Sequence, residues 1–219
     1  MKTLVLKVDA GNPDPEVLKR AGDAIRRGGL VGFPTETVYG LAADAFNKDA
    51  VKRVFEVKGR PADNPLPVQV ASQDEVIRLV AEIPEVAERL MKAFFPGPLT
   101  LVLKASGAVS EIVTAGTGKV GIRMPDHPVA LGLIRSAGTP IVAPSANMSG
   151  EPPPTTSQEV LAYLDGKIEI LLDAGPTKLR LASTVVDVTE TPPRILREGS
   201  ITREVLRAIF VKQGEDMNR

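Results

Sequence analysis

The 219-residue sequence contains no cysteine and only one histidine, His127. Without cysteine there is no disulfide framework, no thiolate nucleophile and no zinc–thiolate site. One histidine also excludes a metal site built from a histidine cluster. A hard cation such as Mg²⁺, bound by carboxylates and by the phosphates of a substrate, is compatible with the composition. We therefore predict no metal site formed by protein side chains.

The sequence also lacks a net charge and long apolar runs. Its 27 basic and 27 acidic side chains cancel, so no overall field draws it to nucleic acid or to a membrane surface. Aromatic residues make up 4% of the chain, which leaves few surfaces on which bases could stack. No stretch approaches the roughly 20 apolar residues that cross a bilayer, and the N-terminal residues 1–9 are too short and too charged for a signal peptide. We expect a cytoplasmic protein without membrane contact.

Short β-rich apolar runs alternate with helical patterns along nearly the whole chain. The strands are predicted at Leu4–Val8, Leu30–Phe33, Leu66–Ala71, Leu99–Lys104, Val120–Met124, Pro140–Ala143, Ile168–Leu172, Thr184–Val188 and Arg194–Leu196. After a first helix, capped by Asp14 and Pro15 and ended by Gly28-Gly29, helices are predicted near Ala50–Phe55, Val86–Phe94, Val129–Ser136, Gln158–Leu164 and Arg203–Phe210. This alternation predicts a single α/β domain over residues 1–219. The last strands follow one another without a helix, which predicts a mixed sheet.

Two short motifs resemble nucleotide or hydrolase signatures without the context that these require. Gly116–Gly121 reads G-x-G-x-x-G, but it leads into an extended run closed by Pro125 rather than into a helix, so a loop before a strand is favoured. Val120 stands where a Walker A loop needs serine or threonine. Ser145 lies outside any G-x-S-x-G elbow, and His127, next to Pro128, is predicted to lie in a turn.

Polar side chains follow or end three of the predicted strands. Leu30–Phe33 runs into Pro34–Gly40, the strand at Val120–Met124 carries Arg123 near its end, and Pro140–Ala143 runs into Pro144–Gly150. In open α/β sheets, ligands bind beyond the carboxyl ends of the strands, so these groups are expected to converge on a small zwitterion. The alternative is that the hydroxyl and amide side chains only cap helices and turns.

Cations that suit a polyphosphate lie after a predicted helix and after the last predicted strand. Lys58 and Arg60 are separated by one glycine. Lysine supplies a compact charge and arginine a bidentate fork. The helix macrodipole alone could explain Lys58, but it does not explain Arg60, which lies beyond the helix. Arg197 is a third candidate phosphate ligand.

Several segments, in this order and spacing, resemble the YrdC family of threonylcarbamoyl-AMP synthases. They are Pro34–Leu41, Lys58–Pro61 with Asn64-Pro65, Pro96–Thr100, Val120–Pro125, Pro144–Asn147 and Ser183-Thr184, and the resemblance covers about residues 29–199. The paired K-x-R and S-x-N signatures are far more specific together than a single glycine pattern. The resemblance implies a YrdC-like fold, with a twisted, open, mixed sheet flanked by helices and a concave substrate cleft.

The resemblance also implies roles for individual residues. Threonine is expected to contact Thr37, Gln69, Arg123, Ala143 and Ser183. ATP is expected to contact Lys58, Arg60, Asn64, Lys119, Ser145, Asn147, Pro153 and Arg197, with Lys58 and Arg60 the catalytic pair. Two positions depart from the family pattern. Many members have histidine where this chain has Gln69, which cannot titrate, and threonine is common where it has Lys119, for which we expect a backbone contact.

The reaction implied by the resemblance converts L-threonine, bicarbonate and ATP, with Mg²⁺, into threonylcarbamoyl-adenylate and pyrophosphate. The product would pass to a tRNA threonylcarbamoyltransferase, and contact with tRNA or double-stranded RNA is a further expectation. One alternative is an RNA-binding module without catalysis. Another is a different carbamoyl-transfer enzyme, such as the hydrogenase-maturation carbamoyltransferase, whose zinc-finger parts a cysteine-free chain lacks.

Overall fold

The structure is a computed structural model that describes residues 2–211. The helices are α1 (Pro15–Arg26), α2 (Lys48–Lys58), α3 (Gln73–Leu79), α4 (Glu85–Phe94), α5 (Glu111–Thr114), α6 (Pro128–Ala137), α7 (Ser157–Leu164) and α8 (Arg203–Val211). The strands are β1 (Leu4–Lys7), β2 (Val31–Phe33), β3 (Gly40–Asp44), β4 (Val68–Gln69), β5 (Leu99–Lys104), β6 (Lys119–Arg123), β7 (Ile141–Val142), β8 (Ile170–Asp173), β9 (Thr184–Asp187) and β10 (Arg194–Arg197). Met1 and residues 212–219 of the predicted single domain lie outside the described residues, and the domain boundary stays a prediction.

The ten strands form one twisted, open sheet in the order β1-β8-β2-β3-β7-β4-β6-β5-β9-β10. Strands β1 and β2 both pair parallel with β8, and the pairs β4–β6 and β5–β9 are also parallel. The other neighbours are antiparallel. The predicted mixed α/β sheet flanked by helices is therefore confirmed.

Local capping explains where several helices begin. The Asp14 side chain accepts a hydrogen bond from the backbone N–H of Glu16 at 2.9 Å, and Pro15 occupies the first turn of α1, as predicted. His127 caps α6, because its Nδ1 accepts from the backbone N–H of Val129 at 3.2 Å. His127 therefore has a structural role at the start of α6, and no hydrolase triad is needed to account for it.

The G-x-G-x-x-G segment begins as a loop and enters a strand, as predicted. Gly116 and Gly118 have φ angles of 72° and 68°, a left-handed region that glycine enters without steric cost. The chain then continues directly into strand β6. No helix N-terminus follows these glycines, so the segment lacks the geometry of a dinucleotide fingerprint.

Some elements differ from the sequence-based expectations. Strand β3 is missing from them because glycine, alanine and aspartate have weak β propensity; pairing with β2 and β7 makes this segment a strand. Helices α3 and α5 are short and bury two residues each, too few for a periodic signal. The predicted strands Leu66–Ala71 and Pro140–Ala143 are too long, since Pro67 and Pro140 provide no N–H for pairing.

The two faces of the sheet carry separate hydrophobic clusters. In β8, Leu171 belongs to one cluster, whereas Ile170 and Leu172 belong to the other. Because successive side chains of a strand point to opposite faces, one cluster lies on each face. Helices α1 and α6 pack against each other and bury their apolar sides in the cluster that contains Ile170 and Leu172. Among the described residues, no helix has the length and apolar character needed to span a membrane.

Candidate active site

A cleft of about 600 Å³ is the candidate site. It lies on the same face of the sheet as α1 and α6, but these helices cover a different part of that face. Strand β6 shows how the sequence makes the cleft. Lys119, Gly121 and Arg123 line the cleft. The residues between them, Val120 and Ile122, are buried on the other face of the sheet, in the cluster that contains Leu171. The same alternation along β5 and β9 places Thr100, Val102, Val185 and Asp187 in the cleft lining, and this face of the strands is the cleft floor.

Strand register brings distant polar residues into one row across the floor. Gln69 pairs with Arg123, and both Thr100 and Arg197 pair with Val185. Leu101 lies opposite Ile122, which places Thr100 opposite Arg123. An amide, two guanidinium groups and a hydroxyl therefore face the cleft from four different strands.

The Ser183 hydroxyl lies where the expected threonine and ATP ligands meet. Its Oγ is 2.9 Å from Thr100 Oγ1 and accepts a hydrogen bond from Arg197 Nη2 at 3.2 Å. Arg197 also donates Nε and Nη2 to the Ser183 carbonyl, at 3.1 and 3.0 Å. Ser183, expected to bind threonine, and Arg197, expected to bind ATP, are thus in direct contact.

Arg123 forms a buried ion pair beneath the floor. Its Nη2 lies 2.7 Å from Glu36 Oε1, with the two side chains 7% and 8% exposed. Its Nε donates to the Gly97 carbonyl at 3.2 Å. Within residues 2–211, Nη1 makes no hydrogen bond, and the residue lines the cleft. One edge of the guanidinium is therefore available to a ligand carboxylate.

Arg60 and Asn64 line the cleft and bind each other. Arg60 donates Nε to the Asn64 carbonyl at 3.0 Å and Nη2 to Asn64 Oδ1 at 2.6 Å. It also donates to the Pro65 carbonyl at 2.8 Å. The guanidinium is thereby held by its own loop, at a position suited to a phosphate.

The cations of the site lie close enough to affect one another. Burial, and then the charge of Arg197, lowers the pKa of Arg60. Lost hydration, and then the charge of Arg123, lowers the pKa of Arg197. Neighbouring positive charges raise the free-energy cost of ionising each group. A bound anion would lower this cost for the whole group of cations. A polyphosphate is such an anion.

Lys58 lies under the cleft wall rather than on its surface. It is 1% exposed, and its ammonium donates to the carbonyls of Ser145 and Asn147, each at 2.5 Å. Burial first, and then Arg60, lowers its pKa from 10.5 to about 8. Its direct contact with ATP stays a prediction; in the structure it holds the loop that carries two other expected ATP ligands.

Thr37 is likewise fully buried and absent from the lining, whereas Thr35 is present there. Thr35 Oγ1 accepts from the backbone N–H groups of Thr37 and Val38, at 3.1 and 3.2 Å. The Thr37 hydroxyl is 2.8 Å from the same oxygen. Thr37 thus supports Thr35 in this structure, and its expected contact with threonine stays a prediction.

All the other site residues expected from the sequence line the cleft. They are Arg60, Asn64, Gln69, Lys119, Arg123, Ala143, Ser145, Asn147, Pro153, Ser183 and Arg197. The Lys119 ammonium is 3.0 Å from Asp187 Oδ2, so its side chain is engaged in an ion pair and its expected backbone contact stays a prediction. Among residues 2–211, no three histidine, cysteine, aspartate or glutamate side chains come together as metal ligands.

Comparison of the sequence with known protein families shows the family to which the chain belongs. Residues 23–199 match the Sua5/YciO/YrdC family, whose description reads "Telomere recombination", and these residues include every expected site residue. The chain belongs to this family. The predicted YrdC resemblance, placed at about residues 29–199, is confirmed by this Sua5/YciO/YrdC match.

Curated relatives of this Sua5/YciO/YrdC chain carry a common name. The threonylcarbamoyl-AMP synthases of Pyrococcus abyssi and Bacillus subtilis are each 50% identical, over 88% and 90% of the chain and 57% of their own length. The chain thus spans little more than half of these relatives. A crystal structure of P. abyssi Sua5 complexed with L-threonine matches with a TM-score of 0.94 and 47% identity, over 98% of this chain and 62% of that one.

The sequence reasoning did not select three residues that line the cleft or contact its lining. Thr35 lines the cleft, Glu36 pairs with Arg123, and Thr100 contacts Ser183. Thr35 and Glu36 belong to a segment that the resemblance singled out, but only Thr37 was selected from it. Alternation could have revealed Thr100, because it stands between Leu99 and Leu101, two apolar residues that face the core.

Proposed function

We propose that this chain makes threonylcarbamoyl-adenylate and pyrophosphate from L-threonine, bicarbonate and ATP. The observation that carries the proposal is the continuity of the cleft. Arg123, Gln69 and Ser183 offer an arginine, an amide and a hydroxyl to an amino acid, and Arg60 and Arg197 adjoin them with positive charge for a triphosphate. The names of the two curated relatives and the threonine complex of the P. abyssi relative support the same substrates.

The chemistry has two steps. The threonine amine adds to the carbon of carbon dioxide, supplied by bicarbonate, and loses a proton to give a carbamate. A carbamate oxygen then attacks the α-phosphorus of ATP, a new P–O bond forms, and the bond to the β-phosphate bridging oxygen breaks to release pyrophosphate. Neither step requires a covalent enzyme intermediate, which suits a site without cysteine.

The chain's own residues align the reactants and neutralise charge. Arg123 would bind the threonine carboxylate through its available edge, and Ser183 would orient the amino acid. Arg60 and Arg197 would stabilise the negative charge that moves onto the leaving pyrophosphate; such positioning and electrostatic stabilisation dominate phosphoryl-transfer catalysis. Lys58 would hold the Ser145–Asn147 loop against the nucleotide. We propose that Mg²⁺ enters with ATP, as part of the substrate, because phosphate oxygens are its preferred ligands.

One assay tests the proposal directly. The purified chain is incubated with ATP, and pyrophosphate release is measured with threonine and bicarbonate, and then with each omitted in turn. Release is expected only when both are present. Pyrophosphate release that continues when threonine or bicarbonate is omitted, or no release when both are present, would contradict the proposed reaction.

The product would pass to a tRNA threonylcarbamoyltransferase in the cytoplasm, and contact with tRNA or double-stranded RNA belongs to the same proposal. An RNA-binding module without catalysis makes a different prediction. It requires salt-sensitive RNA affinity that survives the loss of the Thr37 side chain. Measuring RNA affinity at two salt concentrations, with and without threonine and ATP, separates the two functions.

A further inference from the structure

Glu36 is a buried acid with no part in the reaction proposed above. Its side chain is 8% exposed, and Oε1 lies 2.7 Å from Nη2 of Arg123. Neither carboxylate oxygen receives a well-directed hydrogen bond from the described residues. A buried carboxylate is costly unless a charge or hydrogen bonds compensate for its lost hydration. The charge of Arg123 is what makes the burial of Glu36 tolerable.

Arg123 needs this acid more than an isolated arginine would. Neighbouring charges connect Lys58 to Arg60, Arg60 to Arg197, and Arg197 to Arg123. Among these four cations of the described chain, Arg123 alone forms an ion pair with a carboxylate. A triphosphate is attracted to every guanidinium that it can reach. Without Glu36, a phosphate group would compete with an amino-acid carboxylate for Arg123.

We infer that Glu36 is a positioning residue that reserves Arg123 for the carboxylate of the amino-acid substrate. Its charge offsets that of Arg123, so the triphosphate stays on Arg60 and Arg197. Glu36 lies beside Nη2, and the Gly97 carbonyl accepts a hydrogen bond from Nε. Of the guanidinium nitrogens of Arg123, which lines the cleft, Nη1 is therefore the one without a partner among the described residues. This inference rests on the proposed function, since it assigns the amino-acid carboxylate to Arg123.

The test replaces Glu36 by glutamine, which keeps its size and removes its charge. Binding of L-threonine and of inorganic pyrophosphate to the purified chain is measured by titration calorimetry. In Glu36→Gln, the Kd for threonine is expected to rise about tenfold, because Arg123 loses the carboxylate that holds its guanidinium in place and phosphate groups then compete for it. The Kd for pyrophosphate is expected to fall about threefold or more, and pyrophosphate is expected to compete with threonine. A purely structural Glu36 would lower the unfolding temperature and leave both constants unchanged.

A matched control is available outside the cleft. Glu169 forms a similarly close ion pair with Arg53, at 2.8 Å. Glu169→Gln removes the same charge from the protein but is expected to leave both dissociation constants within about twofold of the wild type, since charge effects fall off with distance.

Two further variants keep the inference open to refutation. In an Arg123→Gln background, Glu36→Gln is expected to leave pyrophosphate affinity unchanged, because Glu36 acts through Arg123. If Glu36→Gln does not fold, Glu36→Asp retains the charge and withdraws the carboxylate by one methylene. Threonine affinity is then expected to fall about threefold with pyrophosphate affinity unchanged.

The outcomes separate this inference from the proposed function. If the wild-type chain binds no threonine, the proposed function fails and the inference fails with it. If the wild type binds threonine, and folded Glu36→Gln or Glu36→Asp binds threonine and pyrophosphate as the wild type does, only the inference is overturned. Tighter pyrophosphate binding in Glu36→Gln that persists in the Arg123→Gln background would also overturn it.

Discussion

Replacing Lys58 by methionine is expected to remove a rise in stability at alkaline pH. Burial and then Arg60 lower the pKa of Lys58 from 10.5 to about 8 in the folded protein, whereas an unfolded chain gives lysine its ordinary pKa of about 10.4. Between these values the unfolded chain keeps a proton that the folded protein has released. The free energy of unfolding therefore increases with pH across this window.

The size of the effect follows from the difference between the two pKa values. About 2.5 pH units correspond to roughly 3.4 kcal/mol when the whole window has been crossed. At pH 9.5, where most unfolded chains still carry the proton, about 2 kcal/mol has developed relative to pH 7. Because the Lys58 side chain is 1% exposed, solvent screens little of this difference.

Urea unfolding of the wild type and Lys58→Met at pH 7 and pH 9.5 measures it. The wild type is expected to gain about 2 kcal/mol more than the variant between the two values, since all other groups titrate in both proteins. Lys52→Met, on the exposed side of the same helix, is the control and is expected to follow the wild type. Equal pH responses of the wild type and Lys58→Met would show that Lys58 keeps its ordinary pKa, and the argument from burial would be wrong.

Three further predictions concern the cleft and its frame. Arg60→Ala is expected to lower the rate of pyrophosphate release by about 10²–10³; more than about a third of wild-type activity would contradict its assignment. Gly121→Leu is expected to weaken threonine and ATP binding more than about tenfold in calorimetric titrations, because a Cβ there would lie 3.2 Å from Thr100 Cγ2 on the floor. Wild-type affinities would show that substrates do not occupy the floor. Thr156→Ala removes the capping box of α7 and is expected to lower the unfolding temperature by about 2–4 °C with unchanged turnover; a loss of turnover would mean that α7 shapes the site.

Much of the layered fold could be predicted because its signals are local. Apolar runs mark β2, β5 and β8, and Asp14-Pro15 marks the start of α1. Strand β3 could not be predicted in this way, since Gly40–Asp44 becomes a strand only through pairing with β2 and β7. Tertiary pairing overrides weak local propensity at such positions.

The sequence predicted which residues form the site better than it predicted how their side chains are arranged. The K-x-R spacing suggests that Lys58 and Arg60 face the same ligand. In the structure, however, Lys58 turns toward carbonyls 87 and 89 residues further along the chain, whereas Arg60 lines the cleft. Such long-range acceptors leave no mark on the local sequence. The pairing of Glu36 with Arg123 has the same origin, because these two residues meet only in the folded protein.

The order of the strands in the sheet has a consequence for how the protein is made. The floor inserts β5 between β6 and β9, and it takes Arg123 from the middle of the chain and Arg197 from near its end. A nascent chain that has emerged only through β6 therefore has Arg60 and Arg123 but neither Ser183 nor Arg197. Non-local strand pairing of this kind forms late in folding. The cleft is thus completed only after β9 and β10 have been synthesised, and a chain made only as far as β6 lacks two of the side chains that we propose bind threonine and ATP.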